Sequence, residues 1–429
     1  MFPNAVRPTH RQGLVLALAL AIAAFGAQAE NVLNFDQALR LAQGRSRQIP
    51  AQEAATTAAR EMAVAAAQLP DPTLKAGIDN LPINGPDQFS LSRDFMTQRS
   101  IGLAQEFTRA DKRKARAAHF DREAEAAQAG SALALANLQR DTAIAWLDRH
   151  YQERLREVLT SQRDEARLQI DAAEAAYRGG KGAQADVFAA RTAVAQIDDR
   201  IAQAERQVAT AKIQLARWVG DTATQPLGAP PATDAVRLSS ADLETRLAHH
   251  PQIAVMVKQE EMAEADVQFA RANRKADWSA ELMFSQRGPA YSNMVSVNLS
   301  IPLQWDRKNR QDRELAAKLA TAEQMRAQRE EASREHVAEA LAMLEEWQSN
   351  RERLKHYDAS LIPLAADRTR ATLAAYRGGT AILSAVLDAR RTEIDVRMER
   401  VRLEMETARL WAQLTYLIPA DHDVATLNP

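Results

Sequence analysis

The 429-residue sequence contains no cysteine. Disulfide bonds, thiolate metal sites and acylation of an N-terminal cysteine are therefore excluded, and we expect a protein that is not lipidated. The formal net charge is only −1. A chain without an excess of positive charge has no electrostatic basis for binding nucleic acid.

Catalytic and cofactor motifs are also missing. The sequence has no nucleophile elbow, no phosphate-binding loop and no zinc motif, and its histidines form no spaced cluster. His249 and His250 are adjacent, but a structural or solvated role is favoured for them over metal binding. We therefore expect no enzyme activity, no cofactor and no bound metal.

Long apolar runs are lacking except close to the N-terminus. Residues 14–24 are apolar, follow the basic residues Arg7 and Arg11, and precede the small-residue sequence Ala-Gln-Ala at 27–29. This pattern predicts a secretory signal peptide over residues 1–29. A membrane anchor is the alternative, but the run is too short to cross a bilayer as a helix.

One hexapeptide occurs twice. Residues 175–180 and 374–379 both read Ala-Ala-Tyr-Arg-Gly-Gly, and the offset is 199 residues (376 − 177). A repeat at a fixed distance predicts one architectural unit used twice. Each copy lies between long helical patterns, so each predicts the tip of a helical hairpin, where glycine permits a positive φ.

Long helices with heptad patterns flank the tips. Residues 111–178 predict one helix about 100 Å long, and a second helix follows from about residue 183 to 219. Apolar residues recur at a and d positions along this second helix, as in a left-handed coiled coil. The a series is Val187, Val194, Ile201, Val208 and Leu215, and the d series is Ala190, Ile197, Ala204, Ala211 and Trp218.

The second hairpin carries a looser seam. It contains Leu387, Ile394, Val401 and Ala408, interleaved with Met398, Met405 and Ala412. Met398 and Met405 are candidate ligands for a soft metal, but their heptad placement favours core packing.

Alternating segments predict two strand pairs. Val295, Val297, Leu299 and Ile301 alternate with polar residues, which gives one apolar and one polar face. Strands of this length can cross an outer membrane, and we expect these four side chains to face lipid. Because open strand edges cannot be satisfied in lipid, several copies must then share one barrel. A solvent-exposed hairpin on a secreted helical protein is the alternative.

The predicted domain order is a repeat, a linker and a second repeat. The first repeat spans 30–220, with a strand pair at about 72–107, a helical hairpin at about 111–219 and its tip at 177–182. A linker at 221–240 follows. The second repeat spans 241–418, with a strand pair at about 278–303, a hairpin at about 307–418, its tip at 376–381, and a C-terminal tail at 419–429.

The whole mature sequence resembles the TolC family of outer-membrane efflux proteins. The resemblance rests on the duplicated halves, the strand pairs followed by basic clusters, and a tip pattern of Tyr-x-x-Gly followed by Asp-Val and Asp-Ala. The matching residues are Tyr177, Gly180, Asp186 and Val187 in the first copy, and Tyr376, Gly379, Val386, Asp388 and Ala389 in the second. Two positions depart from the pattern: Ala385 replaces its first aspartate in the second copy, and Ala189 replaces its second aspartate in the first copy.

A narrower resemblance is to the CzcC-type branch, whose members serve cation efflux. It rests on residues 79–87, which read Asp-Asn-Leu-Pro-Ile-Asn-Gly-Pro-Asp, and on residues 92–96 and 105–107. It implies heavy-metal cations as cargo, but it does not identify a metal site.

The family resemblance implies a homotrimer in which three chains share one barrel embedded in outer-membrane lipid, and helices that continue as a tunnel through the periplasm. It also implies two partners, a periplasmic adaptor that docks at the tips and a proton-driven pump in the inner membrane. Two roles are open for Tyr177 and Tyr376: packing at a helix end, or narrowing the mouth with breakable links between arginines and acids. The candidate tip residues are Tyr177, Arg178, Gly179, Gly180, Asp186, Tyr376, Arg377, Gly378, Gly379 and Asp388.

The leading hypothesis is a passive export duct in the outer membrane that extends into the periplasm. The alternative is a soluble periplasmic coiled-coil adaptor or scaffold, which should lack lipid-compatible strands. The sequence does not identify the exported substrate.

Overall fold

The computed structural model describes residues 32–237, 239 and 250–417. The predicted signal peptide and C-terminal tail lie outside the described residues, as does part of the predicted linker. The fold class predicted from the sequence is confirmed: the chain is mainly helical with four strands. The helices are α1 (Phe35–Arg45), α2 (Gln48–Ala67), α3 (Ala110–Arg178), α4 (Gln184–Val219), α5 (Pro251–Asn273), α6 (Gln311–His356), α7 (Ile362–Arg377) and α8 (Leu383–Thr415).

Two helices carry short irregular turns at their ends. A 3-10 turn, Gly220–Thr224, follows α4, and a π-helical turn, Tyr357–Leu361, joins α6 to α7. Pro363 lies just after the π turn. Proline has no amide hydrogen to complete an α-helical turn, so it accounts for an irregularity at this place.

The described residues form two compact units. The hairpin unit is built from residues 32–46, 138–237 and 343–416, and the sheet unit mainly from residues 47–137 and 250–342. Each unit is described by itself below.

In the hairpin unit, α4 buries the predicted seam. Every predicted a-series residue is buried, and so are the first four residues of the d series. The last d residue differs, because Trp218 is half-buried and Val219 is buried in its place. A straight α-helix drifts against a strict seven-residue repeat, so the buried face moves by one position at the end of this long helix.

The α8 helix buries Met398 and Met405, so both methionines belong to the core as their heptad positions predicted.

The base of the hairpin unit is held by buried polar anchors. Trp146 is fully buried, and its indole N–H donates to the Leu33 carbonyl at 3.2 Å. Arg149 is 2% exposed and donates to the carbonyls of Ala223 and Gln225, both at 2.7 Å. Buried donors are stable only when they are paired, so these bonds fix the segment after α4 against α3.

The sheet unit contains one antiparallel four-stranded sheet in the order β1-β2-β3-β4. Its strands are β1 (Thr73–Asp79), β2 (Gln98–Phe107), β3 (Trp278–Gln286) and β4 (Met294–Ser300). The two strand pairs that the sequence predicted separately thus join through β2 and β3. These strands pair from Arg99↔Gln286 to Phe107↔Trp278. The prediction placed Ile301 within the last strand, but β4 ends one residue earlier. Pro302 cannot donate a ladder hydrogen bond, and it terminates the pairing.

Among the described residues, no helix combines the length and the apolar character needed to cross a membrane.

Candidate functional site

The two hexapeptides fold into the same turn. Gly180 and Gly379 have φ values of 70° and 75°. The next residue donates its backbone N–H to the carbonyl five positions back, from Lys181 to Ala176 and from Thr380 to Ala375, each at 2.9 Å. These are Schellman caps, in which the positive-φ residue is normally glycine. The preceding glycines, Gly179 and Gly378, have no positive φ and lie in the last helical turn.

The helices that leave the tips begin differently. At the start of α4, the carboxylate of Asp186 accepts a hydrogen bond from the backbone N–H of Ala183 at 3.2 Å. The equivalent position of α8 is Ala385, which has no side-chain acceptor. Only the first tip therefore has an acidic cap, and the departure from the family pattern has a structural consequence.

The tips pack on each other through a small apolar cluster. Its buried members are Ala173, Val187 and Ala190 from the first hairpin and Leu383 and Val386 from the second. The cluster joins the two hairpins close to their ends.

The two tip tyrosines have different surroundings. Tyr376 is half-buried and packs on this cluster, whereas the Tyr177 side chain is 47% exposed. Burial raises the pKa of Tyr376, and the nearby charge of Asp186 raises it further. Tyr376 thus packs inside the chain, and Tyr177 presents its ring outward.

The remaining predicted tip residues lie on the surface. Arg178, Arg377 and Asp388 are exposed, and neither arginine forms an ion pair within the described part of the chain. The predicted links from these arginines to acids are therefore not made inside a single chain. Asp388 lies at the rim of a cavity of about 320 Å³ between α4 and α8.

A partly buried polar cluster behind the tip was not predicted. Arg390 pairs with Glu165 and lies 3.3 Å from both Gln162 and Glu393, which is 4% exposed. Arg397 also binds Glu393, at 2.9 Å. A charge pattern on a helix normally indicates a solvated face, so these contacts between helices could not be predicted from the sequence.

A third arginine, Arg200, links α4 to Asp395 of α8 at 2.7 Å. Together with the polar cluster, this ion pair ties the second hairpin to the first.

In the sheet unit, the register places the apolar side chains on one face. One row of directly paired residues crosses all four strands, and it consists of Leu74, Leu103, Leu282 and Val297. Directly paired residues share a face, and these side chains are all exposed, from 52% for Leu103 to 75% for Val297. The face also includes Ala76, Ile78, Ile101, Phe284, Val295 and Leu299.

The opposite face of the sheet is polar. Lys75 pairs with Glu281 at 2.5 Å across the small residues of β2, and Ser100 donates to Asp79 at 2.7 Å. β1 and β4 are the two edges, and neither pairs with a further strand among the described residues. The sheet thus combines an exposed apolar face with two open edges.

Comparison with known proteins finds one protein family whose model matches part of this chain. Residues 243–418 match the family model described as outer membrane efflux protein. This range contains the second strand pair and the second helical hairpin. No curated protein matches the chain by sequence.

Several solved structures have the same fold. The chain is similar to the outer-membrane channel OprN, with a TM-score of 0.75 and 17% identity over 90% of each chain. It is similar to the outer membrane protein VceC from Vibrio cholerae, with a TM-score of 0.73 and 18% identity over 89% of this chain and 95% of that one. CusC gives a TM-score of 0.71 and 16% identity, over 91% of this chain and 93% of that one. The chain therefore has the fold of outer-membrane channels, and its second half matches the efflux protein family.

Proposed function

We propose that this protein is the outer-membrane channel of a tripartite efflux system. The observation that carries the proposal is the open four-stranded sheet with one exposed apolar face. Burying apolar side chains in lipid is favourable at about 25 cal/mol per Å², and a soluble protein rarely exposes so continuous an apolar face.

Assembly of several copies follows from the sheet. Four strands per chain are too few for a closed transmembrane barrel, which needs at least about eight. Open edges are not tolerated in lipid, so β1 of one copy pairs with β4 of the next. With three copies, as the family resemblance implies, the barrel has twelve strands. CusC is itself associated with transmembrane channel formation.

The helical hairpins form the periplasmic duct, and their tips form its gate. Tyr376 packs on the apolar cluster that joins the two hairpins of one chain. The exposed Tyr177, Arg178 and Arg377 are placed to contact a neighbouring copy or the adaptor. The duct has no catalytic step, and the energy for export comes from a proton-driven pump in the inner membrane.

Heavy-metal cations are the proposed cargo, on the basis of the CzcC-like sequence at residues 79–87. A duct selects cargo weakly, so the pump determines most of the specificity. A strain that lacks the gene should become sensitive to divalent metal ions and regain resistance with the gene restored. Sensitivity to drugs alone would assign the duct to drug export.

Cell fractionation tests the channel itself. The protein should be found in the outer membrane, be extracted by detergent as a trimer, and form channels in planar bilayers. A stable monomer in the soluble periplasmic fraction would instead support the adaptor alternative.

A further inference from the structure

The alternation of apolar and polar residues continues beyond the last strand of the sheet. The alternation of Val295, Val297 and Leu299 extends through Ile301 and Leu303 to Trp305. Leu303 is 66% exposed and Trp305 is 88% exposed. A tryptophan so exposed has its hydrophobic surface available for a partner, and its position extends the apolar strip.

Three cations follow this tryptophan and Asp306 in the sequence. Arg307, Lys308 and Arg310 lie in the turn that leads into α6, and all three are exposed. None of their side chains has a hydrogen-bonding or ionic partner among the described residues. The turn thus places three unpaired positive charges beside the exposed indole.

The three acids at this turn do not pair with its cations. Asp306 accepts from the Asn309 side chain at 2.8 Å, Asp312 pairs with Arg274 at 2.9 Å, and Glu314 accepts from Asn273 at 3.1 Å. None of these contacts neutralises a cation of the turn.

The corresponding basic cluster of the first half lies at residues 112–114, and two of its three cations have partners inside the protein. Lys112 is 5% exposed and pairs with Asp277 at 2.6 Å. Arg113 donates to the carbonyls of Thr108 at 2.6 Å and Ala67 at 3.1 Å. One basic cluster therefore stabilises the fold, and its counterpart is left open to an external partner.

We infer that Trp305, Arg307, Lys308 and Arg310 bind the phosphate headgroup of an anionic glycerophospholipid. The inference rests on the proposed function, which places the apolar strip in lipid and its helix-connected end at the periplasmic leaflet. Tryptophan is favoured at the boundary between hydrocarbon and water. Arginine and lysine bind phosphate through charge-assisted hydrogen bonds, and basic clusters beside a membrane attract anionic lipid.

A free phosphate ion would use the cations but not the indole, and a lipid uses both. The acyl chains lie along Ile301 and Leu303, the indole lies at the level of the glycerol backbone, and the three cations surround the phosphate. Because the cations lack internal partners, binding requires no ion pair of the protein to break.

The test uses the full-length assembled protein in nanodiscs made from equal parts of phosphatidylglycerol and phosphatidylcholine. Native mass spectrometry measures which lipid the protein retains after release from the disc. We expect wild-type protein to retain phosphatidylglycerol preferentially, and the triple variant Arg307→Gln, Lys308→Gln, Arg310→Gln to reduce that preference roughly tenfold. Trp305→Ala should reduce retention of both lipids, and Trp305→Phe should largely restore it.

The matched control removes three cations elsewhere. Arg156, Arg206 and Arg368 lie in the hairpin unit, are exposed, and have no side-chain partner among the described residues. Replacing all three with glutamine changes the net charge equally and should leave the lipid preference intact.

Four results would overturn the inference. One is equal retention of both lipids by wild-type protein, and another is the same loss of preference in the control. The third is displacement of the lipid by millimolar inorganic phosphate, which would indicate a site for free anions. The fourth is a triple variant that weakens the trimer without changing lipid retention, which would place a neighbouring copy at this turn.

Channel conductance in planar bilayers is measured in parallel. If the protein does not conduct, the proposed function fails. If it conducts without preferring phosphatidylglycerol, only the lipid site fails.

Discussion

At the residue scale, the two tip tyrosines have different neighbours: Tyr376 packs on the apolar cluster, and Tyr177 is 47% exposed. The repeated hexapeptide predicted both glycine caps, because a Schellman turn depends on local residues alone. The difference between Tyr177 and Tyr376 was not predictable, because it depends on how one hairpin packs on the other. Tyr376 meets the apolar cluster and Asp186, whereas Tyr177 has no equivalent neighbour within the described chain.

The first prediction therefore separates the two tyrosines. Tyr376→Ala should raise single-channel conductance in planar bilayers more than Tyr177→Ala does, because it removes the ring that joins the hairpins of each chain. Tyr376→Phe keeps the ring and should stay close to wild type at neutral pH. Trimer yield should be unchanged in all three variants. Equal effects of the two alanine variants would show that packing within one chain does not hold the tip closed.

The raised pKa of Tyr376 gives this contact a pH dependence. The ordinary tyrosine value is 10.0, and the pKa in the folded protein is higher. The stabilising contribution of the neutral Tyr376 phenol is therefore complete below about pH 10, and it is lost as the pH rises through the pKa of this group in the folded protein. Conductance of wild-type channels should increase in that alkaline range, and the increase should be smaller for Tyr376→Phe.

A buried amide behind the tip gives the second prediction. Gln169 is 5% exposed, and neither its oxygen nor its nitrogen has a hydrogen-bond partner among the described residues. Gln169→Leu should raise the free energy of unfolding by about 1 kcal/mol, because it removes an unpaired buried polar group. Chemical denaturation in detergent measures this change.

Gln162→Leu is the matched control, because its oxygen is paired with Arg390 at 3.3 Å. This variant should lower stability by about 1 kcal/mol. A destabilising Gln169→Leu would show that the amide is bonded in the assembled protein.

At the element scale, the long helices and the strands were predictable, but their irregular ends were not. The helix expected over residues 111–178 is α3, because proline is missing and the local pattern is consistent throughout. The π turn at Tyr357–Leu361 was not predicted. Pro363 was visible in the sequence, but proline at such a place can end, kink or widen a helix, and packing decides between these outcomes.

The third prediction concerns the two faces of β4. Val297→Arg should impair assembly by about 2–4 kcal/mol, because it places a charge on the lipid-facing side near the middle of the membrane. Ser296→Arg lies on the polar face and should be tolerated. The yield of detergent-resistant trimer from outer membranes measures both. Equal yields would show that the side chains at positions 296 and 297 do not face different environments, and the barrel assignment would fail.

At the scale of the whole molecule, the sequence predicted the need for partners because it contains too few strands. The structure adds the order of those strands, which the sequence did not contain. β2 and β3 join the two halves in the centre of the sheet, and β1 and β4 are left as the edges. The edges belong to different halves of the chain, so any closure between copies must pair a first-half strand with a second-half strand.

The last prediction uses the lack of cysteine to test that closure. Thr73, Lys75 and Asp79 of β1 lie on the polar face of the sheet, as do Ser296 and Asn298 of β4. Within one chain, two strands separate these edges, so they are about 14 Å apart at ~4.8 Å per strand spacing. A disulfide requires Cα atoms within about 7 Å, so no bond can form between the edges of a single sheet.

If neighbouring copies pair β4 with β1, a chain with one cysteine on each edge should form covalent dimers and trimers in the oxidising periplasm. Only those pairs of cysteine positions that lie opposite each other in the register between copies should form the bond. Non-reducing electrophoresis reads the result without background, because wild-type protein has no thiol. Chains with a cysteine on one edge only should remain monomeric after denaturation. If no combination across the two edges gives covalent oligomers, while the trimer is otherwise intact, the copies are not joined through these strands, and the proposed shared barrel is wrong.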